Sequence, residues 1–172
     1  RFKSCPRYQI PFSMNAPPVL YTSVTMGYSD SEDRLWLRLV DGAHEAKFWL
    51  SRRIALPMLE RSYELLTQAQ DRGEARQSHQ SAVKEFLERK GDRPPPPNRE
   101  VASGPAMGLV ASIDITVSEQ GARWVFSSPV SGTAAFQADR TQAHQLLEVL
   151  WSKVREARWS EQAPWSSQDP AA

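Results

Sequence analysis

The chain has 172 residues, 40% of them hydrophobic and 24% charged. That is length enough for one domain, or two small ones, with a core that needs no disulfide or metal to hold it. Twenty-one Lys and Arg against twenty Asp and Glu leave a net charge of +1. This excludes a protein that works by bulk charge, whether a basic neutraliser of nucleic acid or an acidic mimic of it.

One cysteine, Cys5, stands alone, so no internal disulfide can form and the chain reads as cytoplasmic. No apolar run approaches the roughly 20 residues that span a bilayer. The stretch Met107 to Val117 is broken by Gly108, Ser112 and Asp114. Residues 1–18 carry three positive charges with no apolar stretch behind them, which is not a signal peptide. Met14 is a plausible start. Residues 1–18 are therefore expected to be a disordered or non-native N-terminal segment.

Val19 to Ser29 alternates Val, Tyr, Thr and Met and predicts a strand. Arg34 to Val40 alternates more cleanly, with Leu35, Leu37 and Leu39 on one face and Trp36 and Arg38 on the other. Asp41-Gly42 then signals a two-residue hairpin turn. Such a turn pairs Leu39 with His44, Leu37 with Ala46 and Leu35 with Phe48. On the outer face it sets Arg38 against Glu45 and Trp36 against Lys47, an ion pair and a cation–π pair. Ser51 is placed to cap a helix bearing Ala55, Met58, Leu59, Tyr63 and Leu66 inward. Pro57 implies a kink or a later start, and Gly73 implies the end. A shorter helix over Ser81 to Lys90 points Ala82, Val83 and Phe86 inward and stops at Gly91.

Residues 92–104 read as a linker, because the run Pro94 to Pro97 can be neither helix nor central strand. Strands return afterwards. Ala111, Ile113, Ile115 and Val117 alternate with polar residues. Gln120-Gly121 turns the chain, and Arg123 to Ser128 sets Trp124 and Phe126 against Val117 and Ile115. Ala134 to Ala138 makes a third strand. Asp139 and Gln142 form a capping box ahead of a helix with Ala143, Leu146, Leu147, Leu150, Val154 and Ala157 on one face. Residues 161–172 are polar and expected to be a disordered tail.

The two halves resemble each other at an offset of 88. Phe48 to Tyr63 aligns without gaps on Phe136 to Trp151, with Phe, Arg, Ala, Leu and Glu identical at five positions. The expected fold is α+β: two hairpin-plus-helix halves, 19–91 and 105–160, with antiparallel sheets and a proline-rich linker.

Chemical motifs are sparse. His44, His79 and His144 have no HxxxH or HxH spacing, and no CxxC occurs, so the histidines read as ordinary surface residues and no metal site is expected. No nucleophile elbow, phosphate loop or dinucleotide fingerprint is present. Neither catalytic residues nor a cofactor are expected. Asp114 lies by parity on a solvated face. The outer face of the first hairpin is different: Trp36, Arg38, Lys47 and Trp49 interleave aromatics with cations. Such a face serves as a protein-binding hot spot or as a stacking platform for single-stranded nucleic acid. It can also be core beneath a second layer.

Leu50-Ser51-Arg52-Arg53-Ile54-Ala55, after a hairpin and before a helix, resembles the strand-to-helix junction of purine-rich-element-binding (PUR) repeats. The resemblance implies tandem sheet-plus-helix units, and that family binds single-stranded nucleic acid through its sheets. The likeness covers about thirty residues. It departs in the second half, where the corresponding stretch reads Ala138-Asp139-Arg140-Thr141-Gln142-Ala143. There the outer residues Asp114, Thr116, Ser118 and Ser127 offer no aromatic platform. We treat it as architectural and carry over no residue roles.

The sequence thus points to a non-catalytic interaction or accessory protein. It would associate with a protein partner, or with itself, through the aromatic sheet face. The alternative is a single-stranded nucleic-acid-binding protein using Trp36, Arg38, Lys47 and Trp49. Neither a membrane nor a small-molecule cofactor is expected as a partner.

Overall fold

The computed structural model describes residues 18–42, 44–68, 72–91 and 107–166. Val19 to Ser29 is not one strand but two, β1 (Val19–Tyr21) and β2 (Ser23–Ser29), and the break at Thr22 sends them to different sheets. β2 runs on into β3 (Arg34–Asp41) and β4 (His44–Leu50) as an antiparallel meander. The second half opens with β5 (Gly108–Leu109), followed by β6 (Ser112–Ser118), β7 (Gly121–Ser128) and β8 (Gly132–Ala138). The last three form a second antiparallel meander.

The two short strands cross over. β1 pairs in parallel with β8, and β5 in parallel with β4. The first sheet is therefore ordered β2-β3-β4-β5 and the second β1-β8-β7-β6. At the second crossing, consecutive residues face different sheets. Val110 donates its backbone N–H to the Trp49 carbonyl at 2.9 Å, and Ala111 donates to that of Ser127 at 2.8 Å. Sequence periodicity did not separate β1 from β2 and missed β5, because two or three residues carry no measurable period.

Both hairpin registers differ from expectation by two residues. Asp41 pairs with His44, and Gly42 follows the first strand at φ +53°. Leu35 now faces Leu50, Leu37 faces Phe48, and Trp36 faces Trp49. A two-residue slide keeps every side chain on its face, and here it adds the Leu35–Leu50 pair to the core. In the second meander, Ser118 pairs with Gly121, which sets Ile115 opposite Trp124 and Ile113 opposite Phe126.

Three helices complete the mixed α+β fold: α1 (Arg52–Gln68), α2 (Arg72–Gly91) and α3 (Arg140–Glu156). α1 continues unbroken through Pro57, which lies on the exposed side, while Ala55, Met58, Leu59, Tyr63 and Leu66 are buried. Gly73 does not terminate α1. It lies within α2, which starts nine residues before the expected Ser81. Weak amphipathicity in that stretch explains the miss, since helix extent is read from an apolar stripe. α3 has the expected capping box: Asp139 accepts from the Gln142 backbone N–H at 2.8 Å, and the Gln142 side chain accepts from Asp139 N at 3.3 Å.

The inner faces of the sheets and the helices share one core. Leu35, Leu37, Leu39, Phe48 and Leu50 meet Trp124, Phe126 and Phe136, and the Phe48 and Phe126 rings stack at 6.2 Å. Trp124 is fully buried and donates its indole N–H to Ser62 Oγ at 2.9 Å. Each buried side chain of this size contributes about 2 kcal/mol, and the indole escapes the cost of an unmatched donor.

Order does not stop at residue 160. Trp159 and Ala163 are buried, and Trp159 donates its indole N–H to Asp33 at 3.0 Å. Trp165 reaches Tyr63 of α1, His79 of α2 and Trp151 of α3, with centroid separations of 5.5, 4.4 and 6.1 Å. The polar composition of 161–172 hid these anchors. The segment before residue 18, the proline-rich stretch 92–104 and residues 167–172 lie outside the described residues.

Candidate binding face

The first sheet has one face in the core and one outside it. On the outer side, strand pairing sets Gly27, Trp36, Trp49 and Leu109 in a single row across all four strands. One row further along stand Thr25, Arg38 and Lys47, and on the other side of the tryptophans stand Ser29 and Arg34. All four residues singled out from sequence therefore share this face, in two adjacent rows.

Trp36 and Trp49 are half-buried, and neither belongs to the core cluster or packs against it. The core reading of these two tryptophans does not hold. The Trp36 indole lies on Gly27, where an added Cβ would overlap the ring. A glycine here lets the aromatic ring lie close to the backbone. Leu109 beside Trp49 is 43% exposed. Gly27 and Leu109 were missed from sequence, because only the pairing of β2 and β5 reveals them as neighbours of the tryptophans.

The expected Trp36–Lys47 pairing does not form, since Trp36 opposes Trp49 and Arg38 opposes Lys47. The Arg38–Glu45 ion pair survives on the diagonal, Nε donating to Oε1 at 2.5 Å, and Lys47 Nζ stands 3.2 Å from the same oxygen. The Arg38 hydrogen bond holds the Glu45 carboxyl below its usual range; burial pushes the other way, and Lys47 adds a smaller pull downward. Arg34 flanks the tryptophans on the far side, 4.0 Å from Glu32. Arg52 and Arg53, both exposed, follow Trp49 within four residues. Cations thus flank the aromatic row on both sides along the strands.

The outer face of the second sheet is chemically different. Thr116, Arg123 and Gln137 share one row, and Asp114, Val125, Ala135 and Leu20 share the next. No aromatic side chain stands in either row.

A second cluster was not legible at all. His79 and His144, expected at the surface, are 5% and 1% exposed, with their Nδ1 atoms 3.3 Å apart. One ring donates its Nδ1–H to the other, so the accepting ring is neutral. Burial pushes both down to about 4, helped at His79 by the facing His144 and at His144 by Arg140. The residues are 65 positions apart, on α2 and α3, so no local spacing could announce them. An open polar cleft of about 490 Å³ adjoins His144, lined also by Gln77, Ser81 and Thr141. Among the described residues, no three His, Cys, Asp or Glu side chains group in a way that could hold a metal ion. No described helix is long and apolar enough to cross a membrane.

Compared with known proteins, the chain matches no family model, no curated protein and no solved structure.

Proposed function

We propose that the chain is a non-catalytic cytoplasmic binding protein that takes up single-stranded nucleic acid on the outer face of the β2–β5 sheet. The observation that carries this reading is the cross-strand Trp36–Trp49 pair, outside the core and flanked by Arg34 on one side and by Arg38 and Lys47 on the other. Unpaired bases stack on aromatic rings whatever their identity, while neighbouring cations track the phosphates. A four-stranded sheet with a flat, glycine-floored aromatic row suits that use.

The halves are read as a pseudo-repeat at offset 88, joined by the proline-rich linker. Supporting this, β4 and β8 each have seven residues, and α1 and α3 each have seventeen. In that reading only the first copy has kept a platform.

A second reading, association with a protein partner through the same face, is favoured by Glu45. Its carboxylate draws in both Arg38 and Lys47, and exposed Leu109 extends the aromatic row with apolar surface. Two tryptophans with an arginine at the rim are the composition of a hot spot.

Titration of a fluorescent single-stranded oligonucleotide at about 50 mM and 200 mM salt separates the two readings. Nucleic-acid binding requires saturable, salt-weakened association that falls at least ~30-fold in Trp36→Ala/Trp49→Ala, since each stacked base contributes about 1–3 kcal/mol. Absence of binding at the lower salt leaves the protein-partner reading.

A further inference from the structure

We propose that Glu45 holds Arg38 and Lys47 back from the nucleic acid, and so sets the affinity of the Trp36/Trp49 face below what its cations alone would allow. The inference rests on the nucleic-acid reading of that face and assigns its regulating residue.

The outer face of the β2–β5 sheet continues one row beyond the cations. Ser23, Val40 and Glu45 form that row, so Arg38 and Lys47 lie between the carboxylate and the tryptophans. Both cations turn to it. Arg38 Nε is 2.5 Å and Lys47 Nζ 3.2 Å from the same Glu45 oxygen. The charged ends that would meet phosphate are therefore drawn away from the aromatic row. The other flank differs. Arg34 is 4.0 Å from Glu32, beyond hydrogen-bonding distance. One flank stands ready for a phosphate, and the other already holds an oxyanion of the chain's own.

Carboxylate and phosphate oxygens are the same kind of acceptor for a guanidinium or an ammonium group. Nucleic acid must therefore compete with Glu45 for both cations. The competition is graded, not absolute. The Arg38 side chain is 45% exposed and that of Glu45 37%, and ion pairs this open to water hold weakly. A phosphate can displace the carboxylate, but the carboxylate stays close and opposes it. The Arg38 hydrogen bond keeps the Glu45 carboxyl below its usual range. Glu45 is therefore charged at neutral pH, and the opposition persists there.

The test is titration of a fluorescent single-stranded oligonucleotide with the full chain at about 50 mM and 200 mM salt, for wild type, Glu45→Gln and Glu60→Gln. Glu60 is exposed on α1, a helix on the core side of the sheet, so its loss controls for net charge. Arg38→Gln is then measured in the wild-type and Glu45→Gln backgrounds. Circular dichroism melts confirm that each variant folds. Glu45→Gln should bind about three- to tenfold tighter at the lower salt. Its plot of log affinity against log salt should steepen by about 0.7 for each further phosphate engaged. Glu60→Gln should change affinity by about twofold or less. Arg38→Gln should cost more in the Glu45→Gln background than in wild type, because only there is the guanidinium released. Wild type that binds, with Glu45→Gln no tighter than Glu60→Gln, overturns the inference and leaves the reading of the face standing. So does an Arg38→Gln loss that is equal in both backgrounds. Absence of binding by wild type and Glu45→Gln alike overturns the reading and the inference together.

Discussion

The two sheets are built alike and finished differently. Each is a three-stranded meander extended by a short parallel strand from the other half of the chain, and each turns a row of apolar side chains inward. Outside, one presents Gly27, Trp36, Trp49 and Leu109, the other Thr116, Arg123 and Gln137. The inner faces are bound to each other by a shared core and so are constrained alike. The Trp36–Trp49 row lies outside that core, so the difference there is not imposed by it.

The sharpest way to break this contrast is to compare tryptophans on opposite sides of a sheet. Trp124→Ala removes a fully buried indole and orphans Ser62, and should cost about 3–5 kcal/mol in a urea melt. Trp36→Ala should cost less, about 1–2 kcal/mol, because its ring is only partly buried and outside the core. Equal losses would mean that the outer face is structural after all.

Acid probes the place where the helices of the two halves meet. His79 and His144 take up a proton near pH 4 in the folded chain, against about 6.5 when unfolded. The unfolded state therefore binds more protons between those values. Stability is full above about pH 6.5 and falls as pH drops toward 4, on the order of 3 kcal/mol per ring at most. Urea midpoints across that range should fall less steeply in His79→Gln/His144→Gln than in wild type. Parallel curves would show that the pair is not neutral and buried.

A smaller effect is expected at Gly27. Gly27→Ala puts a methyl into the Trp36 ring and should tilt it off the platform. Oligonucleotide affinity should drop about tenfold with the core intact. Smaller still is Asp139→Ala, which removes the α3 cap and should cost about 1 kcal/mol without changing affinity for any partner. A change in oligonucleotide binding there would argue that the site lies on the second unit.

Much of this was legible in the chain. Strict alternation placed Leu35, Leu37 and Leu39 inward and Trp36 and Arg38 outward, and a register error of two residues left those faces intact because strand periodicity is two. The capping box at Asp139 was legible because its partners are three residues apart. What escaped has a common cause. The crossing of β1 and β5, the seat of Trp36 on Gly27, the His79–His144 pair and the anchoring of Trp165 all join residues remote in sequence. Single-chain patterns report local geometry, and no local rule brings α2 beside α3 or residue 165 beside residue 79.

The most direct measurement is oligonucleotide binding by three proteins side by side: wild type, Trp36→Ala/Trp49→Ala, and Arg123→Ala/Gln137→Ala, which strips the corresponding row of the second sheet. The asymmetry of the two faces predicts that the first variant loses binding at least ~30-fold while the second retains it. Binding that survives in the tryptophan variant, or that falls equally in both, would contradict it.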